Sequence, residues 1–296
     1  MGTSWTKHLK QEFTREKRSL KTKHPQLILL SQWKFHPYVW LIYRIFTAVY
    51  TLVWCICSGV QTHHPKWFIF LTHLTYVVLT FYFNLALVNL ICHMVHGQKR
   101  PTQNIRAASL EEISSCNPVP EIEVETPALK LHTQFDPPSS VLYPTICIQW
   151  CLYNLSCVTS LFVTIAFWSF DYIPGRAPDS ININMHVINS VLVLLELSVA
   201  ASPIHLAHFV YTLMYCLSFI IFTVIYWAAG GTNLKGKAYI YRSLNYSETP
   251  GAAVGCIIGS ICLLMPFLQF VVWNIHFLKY QAYLRFNWKD GTAPQC

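Results

Sequence analysis

The chain has 296 residues, of which 53% are hydrophobic and only 11% are charged, and its formal net charge is +8. An ordinary soluble domain has roughly 25% charged residues, and several apolar runs here exceed the ~20 residues that a helix needs to cross a bilayer. This composition excludes a soluble multidomain protein and predicts an all-α, polytopic membrane helix bundle.

Six apolar runs predict six transmembrane helices. Arg44 lies one turn inside the first span, where its long side chain can snorkel outward to the interface. Asp179 or Ser180 is the candidate N-cap of the fourth span, and Pro266 predicts a kink in the sixth. The predicted spans cover residues 38–60, 67–92, 143–170, 181–201, 204–228 and 252–278.

The polar segments outside the predicted spans set the orientation of the predicted transmembrane domain, residues 37–279. Residues 1–36 form a basic tail, 280–296 a short polar tail, and 93–142 a long loop with six acidic residues, which we expect to be flexible. These inner segments, counted to the ends of the spans, hold fifteen of the 21 Lys and Arg residues, against five in the other loops. Because cytosolic loops carry the excess of positive charge, both termini and the long loop are predicted to be cytosolic.

Two short motifs indicate modification. The N-terminus fits the myristoylation pattern at Gly2, although chance matches to so short a pattern are common. Asn245 begins a glycosylation sequon in a predicted outer loop, close to the sixth span. Nine of the eleven cysteines lie within the spans, where cysteine behaves mainly as a small apolar residue. We expect no disulfide, metal, cofactor or nucleic-acid partner.

A polar stripe in the fourth span is the most informative feature of the sequence. At 100° per residue, Asn182, His186, Asn189 and Glu196 fall within an arc of roughly 80°. Such a stripe must face the protein interior or a wet cavity, since ionisable groups in hydrocarbon are costly. A functional site competes here with a structural alternative, in which the stripe holds helices together by hydrogen bonds.

Thr72 in the second span is the candidate partner of His186. Each residue lies about five positions past the predicted start of its span, which places both at ~8 Å depth on the same side. A threonine hydroxyl becomes a nucleophile when a neighbouring imidazole takes its proton, and Asn182 or Asn189 could orient the ring or donate to an oxyanion. The alternative for Thr72 is a local bond to the Phe68 carbonyl.

Several segments carry a resemblance to known membrane proteins. NSVLVLLEL, PIHLAHFVY and IYWAAGGTNLKGKAYIYRSLNY followed by PGAA resemble the rolling stone-like group of six-span proteins, over most of residues 30–280. The founding member of that group is linked to myoblast fusion. This resemblance implies a six-span protein that acts in cell adhesion or fusion.

The chain is also similar, more distantly, to the androgen-induced and androgen-dependent hydrolases, which cleave fatty acid esters of hydroxy fatty acids with an intramembrane Thr and His. The resemblance implies Thr72 as nucleophile and His186 as general base. The chain departs from that pattern at Tyr239-Ile240-Tyr241, where the hydrolases carry Trp-x-Tyr-Pro. The matching positions are Phe70-Leu71-Thr72, Met185-His186, Asn182 and Glu196.

Three functions therefore compete. The first is a lipid ester hydrolase with a pocket near the outer leaflet, and the second is a non-enzymatic protein of adhesion or fusion. The third, a channel or proton-coupled transporter that uses His186 and Glu196 as a relay, ranks last because no pair of broken helices is indicated. The bilayer is the expected environment, either plasma membrane or endoplasmic reticulum, and the sequence identifies no protein partner.

Overall fold

The computed structural model describes residues 9, 12, 17, 19–22, 24–97, 141–172, 175 and 177–289. The myristoylation prediction at Gly2 and most of the predicted 93–142 loop lie outside these residues. Six described helices are long and apolar enough to cross a membrane, which confirms the all-α, six-span prediction. They are Pro37–Thr62, Leu71–Val95, Tyr143–Asp171, Ser180–Val199, Leu206–Ala228 and Pro250–Phe286.

The spans alternate in direction, so we call the end at which the first span begins the proximal end and the other the distal end. The α-helices are Gln26–Leu29, Pro37–Thr62, Leu71–Gly97, Tyr143–Ala166, Ser180–Ile183, Asn189–Val199, Phe209–Ala228, Pro250–Gly259 and Met265–Lys289. The 3₁₀ turns are Pro65–Ile69, Leu206–His208 and Arg242–Leu244, and the π-helical segments are Phe167–Asp171, Asn184–Ile188 and Ser260–Leu264.

The third span lies at the centre of the bundle. More of its residues are buried than of any other described span, and they include Tyr153, Cys157 and Val158, each at most 1% exposed. The second span packs along one side of it and the fourth along another. Apolar packing around this central helix therefore fixes the positions of its neighbours.

The segment before the first span closes the proximal end. Ile28 and Leu29 are buried in the core. The backbone carbonyl of Ile28 accepts a hydrogen bond from Gln149 Nε2 at 3.0 Å, and that of Leu29 accepts one from the Trp40 indole at 2.9 Å. These bonds satisfy backbone groups that are withdrawn from water, so this part of the chain packs as an element of the bundle.

The second span begins later than predicted. Pro65–Ile69 forms a 3₁₀ turn, and the helix begins only at Leu71. Trp67 holds this turn, because its indole N–H donates to Ser58 Oγ at 2.9 Å. Thr72 is therefore the second residue of its helix, and the depth estimate that counted from a helix start at Trp67 was wrong.

Arg44 does not snorkel to the interface. It is 1% exposed, and its Nη1 lies 2.8 Å from Glu196 Oε1. The Glu196 carboxylate also accepts hydrogen bonds from the hydroxyls of Tyr82 at 2.6 Å and Tyr43 at 2.8 Å, and the guanidinium lies 4.3 Å from the ring centre of Trp40. The snorkelling prediction was wrong because a carboxylate at the same level offers an interior partner.

Two other local predictions have clear outcomes. Asp179 is the N-cap of the fourth span, because its Oδ1 accepts from the Asn182 N–H at 2.8 Å. In the sixth span the irregularity lies just before Pro266, where Ser260–Leu264 is π-helical and the Met265 N–H donates to the Ser260 carbonyl.

Candidate functional site

A pocket with a cavity volume of about 90 Å³ lies at the distal end, bordered by the second to sixth spans and the loop between the last two. Ligand pockets commonly combine apolar walls with a few polar groups. The polar lining residues are Thr72, Asp171, His186, Tyr241, Ser243 and Ser260, and the remaining walls are phenylalanine, aliphatic, methionine and cysteine side chains.

All three π-helical segments of the described chain border this pocket. Phe167–Asp171, Asn184–Ile188 and Ser260–Leu264 each contribute lining residues. In each segment a backbone N–H donates to the carbonyl five residues earlier. Such segments insert one extra residue into a helical turn and are frequent at functional sites. Because all three π-helical segments of the described chain border it, we take this pocket as the candidate site.

The predicted polar stripe does not form one site. The stripe assumed a regular α-helix that turns by 100° per residue, and the π-helical segment Asn184–Ile188 interrupts that regular turn. His186 lines the pocket. Asn189 accepts a hydrogen bond from the third span, and Glu196 lies in the cluster with Arg44 described above. Asn182 is half-buried and does not line the pocket. Asn189 thus follows the structural alternative, in which polar side chains join helices.

His186 presents its imidazole from the fourth span. The ring stacks on Phe167 with 3.7 Å between ring centres and 7° between planes, and the residue is 7% exposed. The backbone carbonyl of Val163 also interacts with the imidazole. Within the described chain its Nδ1 makes no hydrogen bond. The stacked ring therefore has a fixed orientation, and its Nδ1 is a buried nitrogen with no hydrogen-bond partner among the described residues.

Thr72 reaches the pocket from the first turn of the second span. Its backbone N–H has no partner within the helix, as expected there, and donates instead to the Tyr241 hydroxyl at 3.3 Å. Its Oγ1 lies 3.5 Å from the same hydroxyl. Among the described residues no hydrogen bond joins Thr72 to His186 or to the Phe68 carbonyl, so the pocket brings Thr72 and His186 together without pairing them.

Sequence analysis did not predict Tyr241 as a site residue. The ring lies 5.8 Å from Phe70 and 6.4 Å from Phe219, measured between ring centres. Burial raises the pKa of Tyr241, so its hydroxyl keeps its proton. The available signal was an aromatic pair, Tyr239 and Tyr241, in a loop otherwise rich in glycine and lysine.

The loop that carries Tyr241 has its own internal order. Asn233 Oδ1 accepts backbone hydrogen bonds from Lys235 at 2.9 Å and Lys237 at 3.0 Å. Lys66, which precedes the second span, donates to Thr232 Oγ1 at 2.7 Å. An asparagine that bonds nearby backbone groups in this way stabilises a turn, so Tyr241 is held on a folded loop.

Asp171 ties this loop to the third span and was also missed from the sequence. Its carboxylate interacts with the backbone of Arg242, the residue after Tyr241. The sequon residue Asn245 follows, 6% exposed, with its Nδ2 donating to Glu248 Oε2 at 2.8 Å. Glycosylation of Asn245 stays a prediction, and it would require this contact to open.

The described residues contain no group of three or more His, Cys, Asp or Glu side chains arranged to hold a metal ion.

A family model described as Protein rolling stone matches residues 140–289, just over half of the chain. The chain belongs to the rolling stone family.

The matched region of this rolling stone family member contains His186 and Tyr241, whereas Thr72 lies before it. Protein rolling stone of Drosophila melanogaster is 26% identical over 268 residues, which cover 88% of this chain and 84% of that protein. No solved structure matches the chain. These findings confirm the predicted rolling stone resemblance and a multi-pass integral membrane protein. The distant similarity to the androgen-induced and androgen-dependent hydrolases stays a prediction.

Proposed function

We propose that this rolling stone family member hydrolyses an acyl ester lipid in the distal pocket, with Thr72 as nucleophile and His186 as general base. The observation that carries the proposal is that both side chains line one apolar pocket, although they come from different spans. At 8% and 7% exposure they are largely withdrawn from water, and electrostatic interactions are stronger in such surroundings.

The chemistry divides into two balanced steps. Thr72 Oγ1 attacks the ester carbonyl carbon while its proton passes to His186, and the carbonyl π electrons move onto oxygen. When this intermediate collapses, the bond to the alcohol oxygen breaks and His186 returns the proton to the leaving alcohol. Water then attacks the acyl-threonine with His186 as base, which releases the fatty acid and restores the Thr72 hydroxyl.

Two features of the site support these roles. The Nδ1 of His186 has no hydrogen-bond partner among the described residues, so it can accept a proton. The walls contributed by phenylalanine and aliphatic side chains suit a hydrocarbon chain. A catalytic hydrogen bond between the two residues commonly tightens only when substrate binds, so the proposal requires substrate to draw the Thr72 hydroxyl from Tyr241 toward His186.

The test uses the full chain in lipid nanodiscs with a fatty acid ester of a hydroxy fatty acid, a long-chain p-nitrophenyl ester, and a fluorophosphonate label. We expect Thr72→Ala to abolish turnover and labelling, and His186→Ala to lower kcat by roughly 10²–10⁴-fold. Thr72→Ser should retain activity because the hydroxyl survives. The double variant should be little worse than Thr72→Ala.

Thr75→Ala is the matched control. Thr75 lies one turn further along the same helix, and its hydroxyl contacts the Tyr215 hydroxyl at 3.3 Å outside the pocket. Its loss should leave kcat within a few-fold of the wild type. A wild-type protein that neither turns over the esters nor takes the label would refute the proposal, as would equal activity of Thr72→Ala and Thr75→Ala.

The second candidate is a non-enzymatic role in adhesion or fusion, as the rolling stone resemblance implies. The observation that favours it is that the Thr72 hydroxyl contacts Tyr241 and not His186. On this alternative, Thr72→Ala and His186→Ala should lower the melting temperature of the protein and its performance in a cell-surface or fusion assay. The wild type should then show no hydrolytic activity for the variants to lose.

A further inference from the structure

We propose that Tyr241 is a third catalytic residue of this site, whose hydroxyl donates a hydrogen bond to the oxyanion formed when Thr72 attacks the ester. This inference rests on the proposed function and extends it to a residue of the loop between the fifth and sixth spans. It assigns to Tyr241 the stabilisation of charge that develops only in the transition state.

The position of the Tyr241 hydroxyl carries the inference. It lies 3.5 Å from Thr72 Oγ1 and 3.3 Å from the Thr72 backbone nitrogen, and it lines the same pocket. When a nucleophile attacks a carbonyl, the carbonyl oxygen stays within bonding reach of groups beside the nucleophile. In the serine proteases the backbone N–H of the nucleophile itself forms part of the oxyanion site, and here that same N–H is the group that contacts Tyr241.

The donor and acceptor capacity of a phenol fits this role. A tyrosine hydroxyl has one donor and accepts through its lone pairs. The Thr72 N–H already uses one acceptor position of Tyr241, so the O–H of Tyr241 remains to donate. Hydrogen bonds in a chain polarise one another, and a bond received from the positive end of a helix strengthens the phenol as a donor.

The surroundings keep the phenol neutral and in place. Phe70 and Phe219 flank its ring, and Asp171 interacts with the backbone of the next residue, Arg242. Tyr241 therefore approaches Thr72 with an orientation fixed before substrate binds, which is what a preorganised oxyanion donor requires. No proton is transferred: the phenol O–H stays intact, and the hydrogen bond strengthens as negative charge grows on the carbonyl oxygen.

The experiment compares Tyr241→Phe with Tyr215→Phe, using the long-chain p-nitrophenyl ester and the full chain in nanodiscs. Both tyrosines contact a threonine of the second span through their hydroxyls, but only Tyr241 lines the pocket. We expect Tyr241→Phe to lower kcat by roughly 10²–10³-fold, as loss of one oxyanion donor does, with KM within a few-fold of the wild type. Tyr215→Phe should keep kcat within a few-fold.

Two further measurements separate a catalytic role from a structural one. The rate of fluorophosphonate labelling should fall in Tyr241→Phe in parallel with kcat, because the phosphonyl oxygen takes the place of the oxyanion. The melting temperatures of the two phenylalanine variants should differ little, since each loses one hydroxyl contact.

Each outcome decides the inference. A drop in kcat and labelling rate confined to Tyr241→Phe supports it. Unchanged kcat in Tyr241→Phe with an active wild type refutes the oxyanion role and leaves the proposed function standing, as does a change in KM alone. If the wild type neither hydrolyses ester nor takes label, the proposed function is wrong and this inference falls with it.

Discussion

Arg44 of the first span and Glu196 of the fourth form an ion pair of 2.8 Å with both residues 1% exposed. Hydroxyls of Tyr43 and Tyr82 complete the coordination of the carboxylate. The pair thus joins the first, second and fourth spans, near the proximal end and away from the pocket. The ion pair has a structural role, because the partners of the carboxylate are side chains of the bundle itself.

Breaking this pair should be costly. We expect Arg44→Met to lower the free energy of unfolding by about 3–5 kcal/mol, because Glu196 would keep a buried charge without its counter-ion. Glu196→Gln should be tolerated better than Glu196→Leu, since an amide still accepts hydrogen bonds from the tyrosines. Unfolding in mixed detergent micelles measures these changes.

A double-mutant cycle identifies the coupling. Arg44→Met combined with Glu196→Leu should cost clearly less than the sum of the two single variants. Ser198→Ala is the control on the same span, because Ser198 is exposed and its hydroxyl donates to the Leu194 carbonyl, while its backbone carbonyl, which the substitution keeps, accepts from the Trp33 indole. Its effect should stay within ~0.5 kcal/mol. Strict additivity of the Arg44 and Glu196 variants would show that the pair contributes no coupling.

Gly231 offers a test of the loop that positions Tyr241. A Cβ on Gly231 would lie 2.4–2.6 Å from the ring of Tyr226, closer than atoms can pack. Tyr226 donates to the Thr232 carbonyl at 2.9 Å, so the displaced ring should loosen the start of the loop. We expect Gly231→Ala to lower the melting temperature and, if the proposed function holds, kcat.

Gly255→Ala is the matched substitution. A Cβ added at Gly255 would meet no neighbouring atom within 4 Å. Gly255 lies inside the α-helix Pro250–Gly259 of the sixth span. Replacing glycine by alanine in a helix stabilises it by roughly 0.5–1 kcal/mol. The two variants should therefore shift the melting temperature in opposite directions, and a shared direction would contradict the role assigned to Gly231.

Glu12 predicts a pH dependence of stability. Burial by itself raises the pKa of Glu12, but the hydrogen bond and charge of His205 and the N–H of Leu206 outweigh burial and hold the pKa below its ordinary value. A carboxylate with a lowered pKa stabilises the fold above its unfolded-state pKa, and the contribution is lost as pH falls through the folded-state value.

We expect Glu12→Gln to lower the melting temperature at pH 7 by about 2–5 °C. The difference from the wild type should shrink as pH falls below about 4.3, the ordinary pKa of glutamate. Glu248→Gln, on the exposed distal loop, controls for the loss of any one carboxylate. A Glu12→Gln difference that grows toward acidic pH would contradict the assignment.

The orientation of the bundle remains a prediction from charge. With fifteen Lys and Arg in the segments predicted to be cytosolic and five in the other loops, tags at both termini should be digested by protease from the cytosolic side. A tag inserted between Lys235 and Gly236 should be protected there. Protection of both terminal tags would reverse the orientation.

The number and type of the spans were predictable, because apolar length alone determines whether a helix can cross a bilayer. The partner of Arg44 was not. A single arginine near a helix end has two low-energy solutions, the interface and an interior carboxylate, and sequence spacing contains no information about which carboxylate lies at the same level. Only the folded bundle, in which side chains of the first and fourth spans meet, decides between them.

The site was predictable only in part, because sequence spacing places side chains on regular helices but not on irregular loops. Thr72 and His186 were found through residue chemistry and resemblance, and both line the pocket. Tyr241 was not, because the loop from the fifth to the sixth span has no periodicity from which a side chain can be placed. Local hydrogen bonds to Asn233 fold this loop. The bond from Lys66 to Thr232 fixes the loop against the second span, and it joins residues far apart in the sequence.

The π-helical turn at Asn184–Ile188 makes this site sensitive to chain length as well as to side-chain identity. Deleting Val187 would restore an α-helical ladder and rotate everything before it by about 100° relative to the part that carries Glu196. The Glu196 ion pair would survive while His186 left the pocket wall. In an alignment of relatives, a one-residue gap at this turn would therefore separate proteins that keep the fold and the site from those that keep only the fold.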